Sequence, residues 1–132
     1  MKQHLPTTRA LAAPALALAL SAASSGAMAE IIDVVWTAGG RYERTAPVAA
    51  GKFIEVCDKL PAGLKVRWKF EASAPLDFNI HYHVGKEVVF PSKLSALVTA
   101  QDTLDAKIEQ DYCWTWRNKS AMAATVTVRL QR

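Results

Sequence analysis

The sequence contains no G-x-S-x-G elbow and no glycine-rich phosphate loop, the local signatures of many hydrolases and nucleotide enzymes. Histidine is scarce, with three in 132 residues, and one of these, His4, sits in the N-terminal stretch. Carboxylates are scattered, and no pair of them divides into an acid and a base. A Cys–His pair built from Cys57 or Cys113 with His81 would be disabled by a disulfide. These gaps predict a non-enzymatic protein.

After residue 29 the chain also lacks any apolar run of membrane-spanning length, any repeat and any internal linker. That predicts one soluble domain over residues 30–132. Residues 1–29 read instead as a secretory signal. Lys2 and Arg9 make a basic start with no acid, and residues 10–20 form a short Ala/Leu core. Ala27-Met28-Ala29 supplies the small side chains that signal peptidase requires, placing cleavage after Ala29. The alternative, an amphipathic core helix, has no charged face to support it. Glu30 rather than a cysteine follows the cut, which disfavours a lipoprotein. No twin arginine precedes the core. A periplasmic or secreted location follows, and a nucleic-acid partner does not.

The basic balance shrinks once the signal is set aside. Loss of Lys2 and Arg9 leaves 14 basic and 12 acidic residues, a net +2, so charge alone is a weak argument for an anionic partner. The chain has two cysteines, Cys57 and Cys113. In an oxidising compartment they read as one disulfide, closing a loop worth about 4 kcal/mol on the chain-entropy model. The other reading is a free thiol acting as nucleophile or metal ligand.

The periodicity is that of strands. Val66, Trp68 and Phe70 alternate with Lys65, Arg67, Lys69 and Glu71, following Leu64. Phe78, Ile80 and Tyr82 alternate with Asp77, Asn79, His81 and His83. Ala124, Val126, Val128 and Leu130 alternate with Thr125, Thr127 and Arg129. Weaker signals cover residues 31–37, 52–57, 87–90 and 112–117. Gly39-Gly40, Ala50-Gly51, Pro61-Ala62-Gly63, Ala74-Pro75, Val84-Gly85 and Pro91-Ser92 read as turns. Residues 94–108 read as a loop with one helical turn. The expected fold is all-β, an antiparallel β-sandwich of seven to eight short strands.

The order Phe53-Ile54-Glu55-Val56-Cys57, Val66-Arg67-Trp68-Lys69-Phe70, Asp77-Phe78-Asn79-Ile80 and Asp111-Tyr112-Cys113-Trp114-Thr115-Trp116-Arg117-Asn118 resembles the GOLD domain, a lumenal β-sandwich of cargo adaptors. The resemblance covers about 80 residues. It implies a sandwich, a Cys57–Cys113 bond and a non-enzymatic domain that binds protein or lipid. No coiled coil, membrane span or cytoplasmic tail accompanies it here, so cargo transport does not carry over.

Three groups of residues are candidates for function. His81 and His83, two apart on a strand, share one face about 7 Å apart at Cα, close enough to hold a Cu or Zn ion with Asp77 as an oxygen ligand. The competing reading is an ordinary solvated pair. Trp114 and Trp116 lie opposite Cys113 in strand parity. They are an exposed recognition patch if Cys113 points inward, or core if it does not. The His81/His83 and Trp114/Trp116 region is the expected binding surface for an envelope protein, a lipid or a glycan. Lys65, Arg67, Lys69, His81, His83, Arg117 and Arg129 form one basic patch if their strands are neighbours, suited to an anionic partner such as a lipid phosphate or polysaccharide. Otherwise they are a solvated face. Asn118-Lys119-Ser120 fits a glycosylation acceptor, relevant only in a eukaryotic host.

Overall fold

The computed structural model describes residues 30–132, so the predicted signal and its cleavage point lie outside the described residues. Seven strands and no helix occur among them: β1 (Glu30–Asp33), β2 (Arg41–Val48), β3 (Phe53–Leu60), β4 (Lys65–Val84), β5 (Glu87–Asp105), β6 (Gln110–Arg117) and β7 (Ala124–Gln131). They form one curled, mixed sheet of order β1-β3-β6-β4-β7-β2, with β5 on the remaining side of β4. The all-β expectation holds. All pairings are antiparallel except β1 with β3, which run parallel.

The sandwich arises by folding this sheet on itself. Strand β4 is 20 residues long and changes partner midway. Arg67 to Ala72 pair with β7, and Asp77 to His81 pair with β6. Strand β5 follows β4 along its other side, with register shifts near Leu76 and between Ile80 and Tyr82. At the crease stand Ala72, Ser73, Ala74 and Pro75. Their small side chains leave room for a bend, and Pro75 has no N–H to give to a ladder. Even-numbered residues face inward on both sides of it, so Val66, Trp68, Phe70, Leu76, Phe78 and Ile80 are all buried. The aromatic rings of the two halves meet in the interior, Trp68 against Phe78 at 4.7 Å and Phe70 against Trp116 at 5.8 Å.

Several local expectations are corrected. Ala74-Pro75 and Pro91-Ser92 are strand interior, not turns. Residues 94–105 are strand, not loop. Leu94, Leu97, Ala100 and Leu104 do recur at near-helical spacing, but a bulged edge strand produces it. They stand opposite Phe78, Leu76, Phe70 and Val66 of β4, with the irregularities absorbing the odd intervals. Ala96 takes a left-handed φ of 54° between them. Strand β2 gave no sequence signal, because its inward set is Tyr42, Ala46 and Val48, diluted by charges and Pro47. As an edge strand it tolerates that proline. Gly40 turns the chain into β2 at φ 69°, where a Cβ would lie 2.9 Å from the Arg132 carbonyl oxygen.

Cys57 and Cys113 stand directly opposite in the β3–β6 pair and are bonded, with 4.1 Å between their Cα atoms. Both point away from the core. Tyr112, Trp114 and Trp116 therefore point inward and are fully buried.

Candidate functional site

Trp114 and Trp116 are core residues and contribute nothing to a surface; strand parity sets this once Cys57 and Cys113 face outward. The single basic patch is divided as well. Lys65, Arg67, Lys69 and Arg129 lie on the outward face of the β2-β7-β4-β5 half. His81, His83 and Arg117 lie on the outward face of the β1-β3-β6-β4-β5 half. The two faces of a sandwich look in opposite directions, so these charges do not act on one ligand.

The first face carries an open cleft of about 800 Å³. Cross-strand register builds it in two rows. Arg41, Gln131, Arg67 and Thr103 form one row, and Glu43, Arg129, Lys69 and Gln101 the other. Arg129 donates to Glu43 at 2.9 Å and to Glu71 at 3.0 Å. Lys69 also pairs with Glu71, at 3.1 Å. Arg129 and Lys69 together hold the Glu71 carboxyl below its ordinary range. Arg41 donates to the Gln131 side chain at 3.0 Å. Arg67, between Gln131 and Thr103, has no acidic partner among the described residues. The lining holds four cations (Arg41, Arg67, Lys69, Arg129) and two acids (Glu43, Asp102). A volume of this size accommodates a small ligand or a few side chains of a larger one. Arg41 and Glu43 lie in β2, which gave no sequence signal, and Gln101 and Thr103 in the part of β5 that reads as loop.

The second face carries the histidines. His81 is buried rather than solvated, and His83 beside it is exposed, with ring centroids 5.3 Å apart. Asp77 shares their face but does not reach them. It lies four residues from His81, pairs with Lys119, and accepts from the Ala96 amide at 3.0 Å. The His81–His83–Asp77 ligand set is thus not assembled. Arg117 stacks over Phe53 at 4.7 Å.

Instead, His81 joins residues from two neighbouring strands. It stands beside Cys113, and Asn79 beside Thr115, which in turn faces Glu55. His81 Nδ1 lies 2.9 Å from Asn79 Oδ1, an atom that only accepts. Nδ1 also lies 3.3 Å from the Thr115 hydroxyl, and Nε2 lies 3.9 Å from Glu55 Oε1. Thr115 donates to that same Glu55 oxygen at 3.2 Å. Burial pushes the His81 pKa below its ordinary value, against the pull of Glu55, so the imidazole is neutral near pH 7. Glu55, His81 and Cys113 each bring one potential metal-binding atom within 4.8 Å of the others. The disulfide itself made Glu55 findable, since pairing Cys57 with Cys113 puts Glu55 opposite Thr115.

Asn118 is fully buried, donates to the carbonyls of Val48 at 3.0 Å and Met122 at 2.7 Å, and accepts from Ser120. A glycan has no access to it in the folded domain.

No family model matches the chain, and no curated protein matches it. Solved structures do resemble its fold. The periplasmic inhibitor of g-type lysozyme from Aeromonas hydrophila aligns with a TM-score of 0.55 at 11% identity, covering 77% of this chain and 95% of that one. Its Salmonella Typhimurium counterpart gives 0.53 at 14% identity, covering 79% and 98%. The pre-peptidase C-terminal domain of a Bacillus anthracis collagenase gives 0.57 at 7% identity, covering 79% and 95%. At these identities the likeness is one of fold. It places the chain among all-β domains and does not show a GOLD domain specifically. Among the described residues no helix is long and apolar enough to cross a membrane.

Proposed function

We propose that this chain is an exported, non-enzymatic binding module that holds an acidic segment of a protein partner in the cleft over β2, β7, β4 and β5. The observation that carries the reading is Arg67. It stands in the cleft among three other cations, with no acidic partner among the described residues, so an incoming carboxylate meets a charge free to pair. Arg41, whose side chain among the described residues bonds to the neutral Gln131 side chain, is poised in the same way. Gln101, Thr103 and Gln131 offer hydrogen bonds around them.

A protein partner is supported by the fold. Two of the similar structures are inhibitors of g-type lysozyme, hence proteins that act on another protein. Fold likeness is an analogy, and the weight rests on the cleft. The predicted signal supports export.

The test is fluorescence anisotropy with an extended, Glu-rich decapeptide, run beside anionic phosphatidylglycerol vesicles and heparin. Salt-sensitive peptide binding that R41E/R67E abolishes and R117E preserves would support the reading. Binding to vesicles or heparin alone would replace the protein partner with lipid or glycan. Peptide binding indifferent to R41E/R67E would remove the cleft from the account.

A further inference from the structure

We infer that reduction of the Cys57–Cys113 disulfide creates a zinc site, with Cys57, Cys113, His81 and Glu55 as its four ligands. This site lies on the opposite face from the cleft and is independent of it. Donor atoms of Glu55, His81 and Cys113 already lie within 4.8 Å of one another. Cys57 Sγ is bonded to Cys113 Sγ, so it belongs to the same cluster. Two sulfurs, one imidazole nitrogen and one carboxylate oxygen form a donor set that suits tetrahedral Zn²⁺. While the disulfide stands, both sulfurs are committed to each other, and two useful ligands remain.

The surroundings are those of a metal-binding histidine. Asn79 Oδ1 lies 2.9 Å from Nδ1, placed to accept a hydrogen bond from it and to hold the ring with Nε2 toward Glu55. Thr115 donates to the same Glu55 oxygen that faces His81 and so orients the carboxylate. Such outer partners hold metal ligands in place and set their basicity. All of these groups stand on three adjacent strands, β3, β6 and β4, paired in fixed register. Asn79 is thus a positioning residue. His83, exposed beside His81, is not required.

The chemistry balances through a dithiol reductant. Its two thiols become a disulfide, while Cys57–Cys113 becomes two thiols. Zn²⁺ then displaces two protons as the thiolates bind. The site therefore couples metal binding to the redox state of the envelope, and the oxidised protein binds zinc weakly or not at all.

The experiment uses the mature chain, oxidised and reduced, with Zn²⁺ as the probe. Native mass spectrometry reads stoichiometry, a pH indicator reads proton release, and thiol alkylation reads protection. The expected result is one zinc per reduced chain, about two protons released, and both cysteines protected from alkylation. His81→Ala and Glu55→Gln should each weaken binding, and Asn79→Ala should do so by about 10–100-fold. His83→Ala should have little effect. Equal binding by oxidised protein, or unchanged affinity in His81→Ala and Glu55→Gln, would overturn the site. So would a reduced wild-type chain that loses its sheet circular dichroism and does not regain it with zinc.

Discussion

The rings of Trp68 and Phe78 lie 4.7 Å apart in the core although both belong to the same strand. Two residues ten apart on a straight strand would be over 30 Å from each other. Their contact records the crease at residues 72–75 and holds the two halves of β4 face to face. Replacing either ring by Ala should cost about 3–5 kcal/mol in denaturant unfolding. The double variant should lose less than the sum, because the two rings pack on one another.

The Asn118 side chain closes the segment between β6 and β7 from a fully buried position. Asn118→Ala removes two donated bonds and leaves the Val48 carbonyl short of a partner. The expected loss is about 2–4 kcal/mol, read from the urea midpoint at unchanged slope. Expression in a glycosylating host should give folded protein without a glycan at this asparagine.

Acid should destabilise the domain through Asp77 among others. Its hydrogen bond to Lys119, set against partial burial, holds its pKa below the ordinary aspartate value of 3.8. A depressed folded-state pKa contributes stability that is complete above the unfolded value and disappears as pH falls through the folded one. The midpoint of urea unfolding should therefore fall below about pH 4, and Asp77→Asn should reduce that dependence. An identical acid profile in this variant would remove Asp77 from the explanation.

The proposed export makes a simple prediction about mass. Mature protein recovered from the envelope should begin at Glu30 and weigh two hydrogens less than its fully reduced form. Substituting Cys57 and Cys113 together by Ala should lower stability by about 4 kcal/mol, the loop-entropy value for a bridge of 56-residue separation.

Much of this fold was legible where packing is two-sided and regular. Val66, Trp68 and Phe70, or Val126, Val128 and Leu130, alternate because a neighbour strand lies on each side and a core below. The edges were not legible. Strand β5 pairs only with β4, and its bulges turn a two-residue period into the three-residue spacing of Leu94, Leu97 and Ala100. Strand β2 buries small Ala46 beside Pro47. The crease also read as a turn, since Ala74-Pro75 carries turn chemistry whether or not the strand stops.

The candidate sites follow the same division. Parity placed His81 and Asn79 on one face, but burial of His81 depends on β6 and on the Phe90 ring 5.9 Å away. The basic residues of β4, β6 and β7 were visible one by one. Their separation onto opposite faces depends on the exchange of β4 partners, which no local pattern encodes.

The most direct measurement of the central claim is the anisotropy titration of a Glu-rich decapeptide against wild-type protein and R41E/R67E at several salt concentrations. The account predicts saturable binding that weakens with salt in the wild type and disappears in the charge reversal, with the fold of both unchanged by circular dichroism. Equal binding by both proteins would contradict it.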